Sequence, residues 1–218
     1  MLEYLSYKDI NIGDVCVDEL AKMLLKLFPK LGNNFKIIGI PYKHLNDNKN
    51  LRFNTELTKT FNIYDTKSDN VMLFNRWKNG NEWVDDILRF FSSFLDLLDV
   101  KTNHKFTIKQ LDKTIYVKCN KYTKHVETTK KGSETINHII KDSYMNCIIN
   151  PKLIVTKDIN DITIRICFIA QLIEYIDYNC RNITIFKPML NLKEYGVITK
   201  LKEYMDETQI ENVSEIFI

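Results

Sequence analysis

Between positions 152 and 199 the chain runs through an ordered series: KLIVT at 152–156, ITIRICFIAQLIEYIDY at 162–178, ITIFK at 183–187 and YGVIT at 195–199. No other stretch constrains the fold as strongly. The short β-branched runs predict strands, and the long apolar stretch predicts a helix. Strand, long helix, strand, short turn, strand is the order of an α/β sheet ending in an antiparallel edge hairpin.

The rest of the chain extends this pattern. Apolar residues recur at helical spacing over 18–28 (DELAKMLLKLF) and 83–98 (WVDDILRFFSSFLDLL), and in outline over 134–145, where Ile136, Ile139 and Ile140 face one way. Pro29 and Gly32 suit a helix stop. FKIIGI at 35–40, VMLF at 71–74 and TIYVK at 114–118 predict strands, and those at 71–74, 114–118, 152–156, 183–187 and 195–199 are expected in one sheet. Polar residues at 44–50 and 121–132 predict surface loops. With 218 residues, 44% of them hydrophobic, and only 6 Gly and 4 Pro to make linkers, the chain is expected to form one domain over 1–218. Residues 1–50 read as an N-terminal extension packed on it.

Several function classes lose ground here. The five cysteines (Cys16, Cys119, Cys147, Cys167, Cys180) are odd in number and have no metal-ligand spacing, so no metal is expected. Scattered thiols fit a reducing, cytoplasmic setting. The charged N-terminus lacks an apolar signal core, and no apolar run approaches the roughly 18 residues of a membrane span. The four histidines have no nucleophile or ligand partner nearby, and neither a hydrolase triad nor a P-loop is present. A formal charge of +3 neither demands nor excludes nucleic acid; a local basic face matters more.

KLIVTKDIN, the apolar stretch after it, and NITIFKPMLNLKEYGVITK together resemble the C-terminal part of FtsJ/RrmJ-type cap ribose 2′-O-methyltransferases. In that family a strand ends in a catalytic Lys, a helix follows, and the next strand leads through a Phe-Lys-Pro turn to a Glu-aromatic pair. Lys157 stands at the strand-end Lys, Phe186, Lys187 and Pro188 match the turn, and Glu194 with Tyr195 matches the pair. Lys59 lies at a spacing that suits the first catalytic Lys. The resemblance covers residues 52–204 and implies a Rossmann-like, methyltransferase-type sheet with helices on both faces. It also implies Lys59, Lys157 and Glu194 as vestigial catalytic residues.

The chain departs from the family at the methyl donor. Active members cradle S-adenosylmethionine on a small-residue loop, because backbone must approach the ligand closely. Here Asn75, Arg76, Trp77 and Lys78 occupy that loop, and the expected Asp after TIYVK is Cys119 or Asn120. No cofactor is therefore expected. A methyltransferase-like fold without a donor site resembles the small subunit of poxvirus-type mRNA capping enzymes, which stimulates a catalytic methyltransferase subunit. The resemblance thus implies a non-catalytic subunit of a viral-type capping apparatus, with a catalytic methyltransferase or capping-enzyme subunit as partner. Two alternatives stay open: an active S-adenosylmethionine-dependent RNA 2′-O-methyltransferase, and an RNA-binding or host-interaction protein that reuses the fold.

Two surfaces are expected to carry binding. KYTKHVETTKKG at 121–132 sets Lys121, Lys124, His125, Lys130 and Lys131 around Tyr122, a pattern that suits phosphate contact and base stacking on RNA. The segment 83–100 is apolar on more than one helical face, so Phe90, Phe91, Phe94 and Leu97 are expected to meet a protein partner.

Overall fold

Two long antiparallel strands, Tyr144–Lys157 and Ile162–Ile176, form the spine of the molecule and pair along their whole length. The computed structural model describes residues 4–31, 35–43, 50–60, 62–65, 70–75, 81–103, 114–129, 132–140, 143–157 and 162–176. In chain order their elements are β1 (Leu5–Ser6), α1 (Val17–Leu27), β2 (Lys36–Gly39), β3 (Phe53–Lys59), β4 (Asn62–Asp65), β5 (Asn70–Asn75), α2 (Trp83–Thr102), β6 (Thr114–Cys119), β7 (Lys124–Thr129), β8 (Gly132–Ile136), β9 (Tyr144–Lys157) and β10 (Ile162–Ile176). Short 3-10 turns at Tyr7–Asp9, Ile12–Asp14 and Phe28–Lys30 punctuate the N-terminal part.

All ten strands join one mixed sheet. The free edge of β9 is shared between β2, on Leu153 and its neighbours, and β3, on Tyr144 to Ile149, with β1 parallel beyond β3. The far edge of β10 is shared in the same way. β6 lies parallel to it at Phe168 and Ile169, with β5 and β4 beyond, and β7 lies parallel at Leu172–Ile176, with β8 beyond. The strands expected at 71–74, 114–118 and 152–156 are all in this sheet, as parts of β5, β6 and β9. Those expected at 183–187 and 195–199, with the edge hairpin they would form, lie outside the described residues.

Two helices cover one sheet face. Val84, Ile87, Phe91, Phe94, Leu95 and Leu98 of α2 are buried at the three-and-four spacing of one stripe. Phe91 meets Phe168 edge-on at 5.4 Å, and Trp83 packs against Phe74 at 5.2 Å. Trp83 Nε1 donates to Thr58 Oγ1 at 3.0 Å, so its polar edge is satisfied inside the core. Asn81 fastens the start of α2: its Nδ2 donates to the carbonyls of Lys59 (3.0 Å) and Asn75 (3.2 Å), and its Oδ1 accepts from Thr58 Oγ1.

The expected Rossmann-like α/β sheet with helices on both faces is corrected by this architecture, which is mostly β with two α-helices among the described residues. The decisive segment is 162–178, expected as a helix and found as β10 over its described residues, Ile162–Ile176. Leu172 to Ile176 are all buried, so no in–out alternation marks them as strand. A β-bulge between Ala170 and Leu172 also shifts the two-residue period, leaving apolar residues at 166, 169, 170, 173 and 176 that mimic a helical stripe. The helix outlined over 134–145 is likewise corrected. Its first residues belong to β8, Tyr144 opens β9, and Ile139 and Ile140 pack partly buried from an irregular connection. The loop expected over 121–132 is largely β7, whose Val126 and Thr128 point inward.

Candidate phosphate-binding cleft

The sheet face away from the helices is polar yet well buried. Along β9 the residues on this face are Asn146, Ile148, Asn150, Lys152 and Ile154, because successive side chains alternate between faces. Opposite Asn146 lies Glu174, only 5% exposed, whose Oε1 accepts from Thr128 Oγ1 at 2.9 Å. Burial pushes the Glu174 carboxyl above its usual range, and hydrogen bonds from Thr128 and Asn146 oppose that rise. On β3, Asn54 and Glu56 build a second polar knot. The Glu56 carboxylate accepts from Ser6 Oγ at 2.7 Å and lies 3.4 Å from Lys8 Nζ, while its backbone sits at φ 60° in the bulge between Asn54 and Leu57. Asn54 Oδ1 accepts the Glu56 N–H at 2.7 Å, which holds this left-handed turn.

Between these knots the face opens into a cleft of about 460 Å³. Four parts of the fold wall it: Asn50 and Arg52 leading into β3, Asn150 and Lys152 of β9, Ile169 to Gln171 of β10, and Asn120, Tyr122 and Lys124 around the β6–β7 turn. The lining thus holds three cationic side chains and no carboxylate among the described residues. Burial, then the neighbouring Arg52 charge, lowers the Lys152 ammonium below its usual range. A bound anion would relieve both effects.

Local chemistry fixes the walls. The bulge in β10 leaves Gln171 beside the cleft, and the carbonyl of Ala170 accepts from Thr123 Oγ1 at 2.7 Å. Thr123 thereby ties the β6–β7 turn to the spine. Asn120 shapes the turn, its Oδ1 accepting from Tyr122 N–H at 2.9 Å and its carbonyl from Thr123 N–H at 2.9 Å. Tyr122, 76% exposed, stands at the rim with Lys121 Nζ 5.0 Å from its ring centre. On the other wall Gly39 lies close against Asn50: a Cβ there would lie 2.2 Å from Asn50 Oδ1, so the Asn50 side chain would have to move. Asn150 is 5% exposed, and its Oδ1 has no hydrogen-bond partner among the described residues; the same holds for Gln171 Oε1.

The residues expected from the sequence fare unequally. Tyr122 and Lys124 line the cleft, with Lys121 beside them, whereas Lys130 and Lys131 lie outside the described residues. His125 faces away from the cleft, its Nδ1 3.0 Å from the Tyr175 hydroxyl. Lys59 pairs with Tyr144 at one end of β9 and holds its Nζ 5.6 Å from that ring, while Lys157 ends the same strand. A 14-residue strand at about 3.3 Å per residue puts them on the order of 40 Å apart, so they share no site. Glu194, the Phe-Lys-Pro turn and the Arg76–Trp77–Lys78 loop lie outside the described residues. On α2, Phe91 and Phe94 are fully buried in the chain's own core and Phe90 is partly buried, which leaves Leu97, 42% exposed, at the surface.

Arg52, Asn150, Lys152 and Gln171 went unremarked in the sequence. For the β9 pair the signal was present: Asn146, Asn150, Lys152 and Thr156 fall on one parity of a strand. Among the described residues no helix is long and apolar enough to cross a membrane, and no group of three metal-ligating side chains occurs. No family model matches the chain, and neither a curated protein nor a solved structure matches it.

Proposed function

We propose that this chain is a non-catalytic binding protein whose polar sheet face holds single-stranded RNA. The observation that carries this reading is the convergence of Arg52, Lys124 and Lys152, from three separate parts of the chain, on one cleft rimmed by exposed Tyr122. Cations that track phosphates beside an aromatic platform are how proteins hold single strands. Two amide oxygens without hydrogen-bond partners among the described residues add groups suited to a polar, hydrogen-bonding ligand rather than to a bare anion. A reducing, cytoplasmic setting fits Cys16, Cys119, Cys147 and Cys167 standing as thiols. The capping-subunit role drew on a fold that the chain does not have, and no observation favours it over RNA binding.

Fluorescence anisotropy with a labelled 12-nucleotide RNA tests the reading. Affinity is expected to fall as salt rises, with a log–log slope of about −2 if three cations each meet a phosphate. Tyr122→Ala is expected to weaken binding about fivefold or more through lost stacking, with the slope unchanged. Failure of the wild-type chain to bind at low salt overturns the reading.

A further inference from the structure

The cleft is one end of a longer charged line on the sheet. Arg165 of β10 pairs with Ile154, so it stands on the same face as Lys152, and it is exposed. Its neighbours Ile164 and Ile166 point the other way, toward the core beneath the helices. Register fixes its place. Phe53 pairs with Ile149, which sets Arg52 level with Asn150. Lys152 lies two residues further along β9, and Arg165, opposite Ile154, two further again on β10. With strands about 4.8 Å apart and a rise of about 3.3 Å per residue, Arg52, Lys152 and Arg165 form a diagonal with steps of roughly 8 Å. No carboxylate stands on that diagonal among the described residues. Beside its far end Ile37 of β2 pairs with Ile154 and is 55% exposed, an apolar surface next to a cation.

Resting on the RNA-binding reading, we propose that the single strand leaves the cleft along this diagonal, with Arg165 on a further phosphate and Ile37 and Ile154 under a base. Charge complementarity and continuity with the cleft define the occupant. A backbone with an anion at every nucleotide can use cations set at intervals, which a single small anion cannot. The apolar pair gives a base face a place out of water. Lys118 of β6, an exposed cation on the same face, is level with Ile169 and lies roughly 12 Å from Lys152, off the line.

Anisotropy with the 12-nucleotide RNA tests the path. Four cations on phosphate, in place of the three in the cleft, steepen the log–log salt slope to about −3. Arg165→Ala is expected to return it to about −2 and to weaken binding about fivefold at low salt. Arg165→Lys is expected to keep the wild-type slope. Ile37→Ser should weaken binding about threefold with the slope unchanged. Lys36→Ala removes an exposed cation from the opposite face of β2 and is expected to change neither slope nor affinity. Unchanged binding in Arg165→Ala, or equal losses in Arg165→Ala and Lys36→Ala, overturns the path and leaves RNA binding standing. A slope that falls with Lys118→Ala and holds with Arg165→Ala overturns it too. Full affinity in Ile37→Ser overturns the seat for the base. Absence of wild-type binding overturns the RNA-binding reading itself.

Discussion

The two faces of the sheet solve burial in opposite ways. Under the helices, Phe53, Phe74, Phe91, Phe94 and Phe168 interlock with aliphatic neighbours, and the polar edge of Trp83 is answered by Thr58. On the other face Asn54, Glu56, Asn146, Asn150 and Glu174 are as thoroughly buried, yet oxygen atoms of Asn146 and Asn150 are left without partners among the described residues. A fold selected for stability alone has no use for the second arrangement, since an apolar face would serve better. The difference teaches where to look for function: the apolar face makes the molecule, and the polar face holds buried groups left without partners among the described residues.

Three perturbations can break or sharpen this contrast. The largest effect is expected on the apolar face. Phe91→Ala removes a fully buried ring that touches Phe90, Phe94 and Phe168, and should lower unfolding free energy by about 3–5 kcal/mol in urea melts. RNA affinity of the protein that remains folded should be unchanged; a large loss of affinity there would blur the division between the faces.

On the polar face the expected effect falls on binding. Lys152→Ala should weaken RNA affinity about tenfold, the scale of one charge-assisted contact, while stability holds or rises because a half-buried cation is gone. The pH dependence follows from the lowered Lys152 value. The folded chain gives up that proton below the usual lysine range of about 10.4, where the unfolded chain still keeps it. Stability therefore rises with pH across that window, while RNA affinity falls as the charge is lost. Lys152→Arg, which stays charged, should keep its affinity through the same window in anisotropy titrations. A parallel fall in wild type and Lys152→Arg would remove Lys152 from the phosphate site.

The smallest effect concerns Glu174. Its folded value is raised, so its contribution to stability is fully present below the unfolded value of about 4.3 and is lost as pH rises through the folded value. Glu174→Gln keeps the shape and the hydrogen-bonding oxygen without the charge. Thermal melts should match wild type near pH 4 and exceed it at pH 8, by roughly 2–4 °C for each kcal/mol relieved. Equal melts at both pH values would show that the buried carboxyl is not strained by its surroundings.

What the sequence made legible divides along the same line. Both helices were readable, because apolar residues recur at three-and-four spacing through α1 and α2. So were the strands at 71–74, 114–118 and 152–156, where β-branched runs lie between polar turns. The spine strand β10 was not, because burial on both faces erases alternation and the Gln171 bulge restores a false helical spacing. The family resemblance leaned on that segment, so its fold went with it. Tyr122 and Lys124 were visible as a basic, aromatic cluster. Their partners Arg52, Asn150 and Lys152 come together only through pairings between distant strands, which no local window contains.

The order of the spine in the chain has a consequence for how the molecule is made. β9 and β10 lie at the centre of the sheet but follow every other described strand in sequence. On a ribosome, β2 and β3 emerge long before the strand that receives them. The 84 residues between the end of β3 and the start of β9 take roughly four to seventeen seconds to synthesise at about 5–20 residues per second. Through that interval the nascent chain carries strand edges with no mate, the condition that invites chaperone capture or aggregation. Assembly then waits on the last two strands, so the sheet closes late and nearly at once, as expected where most pairings are distant in sequence.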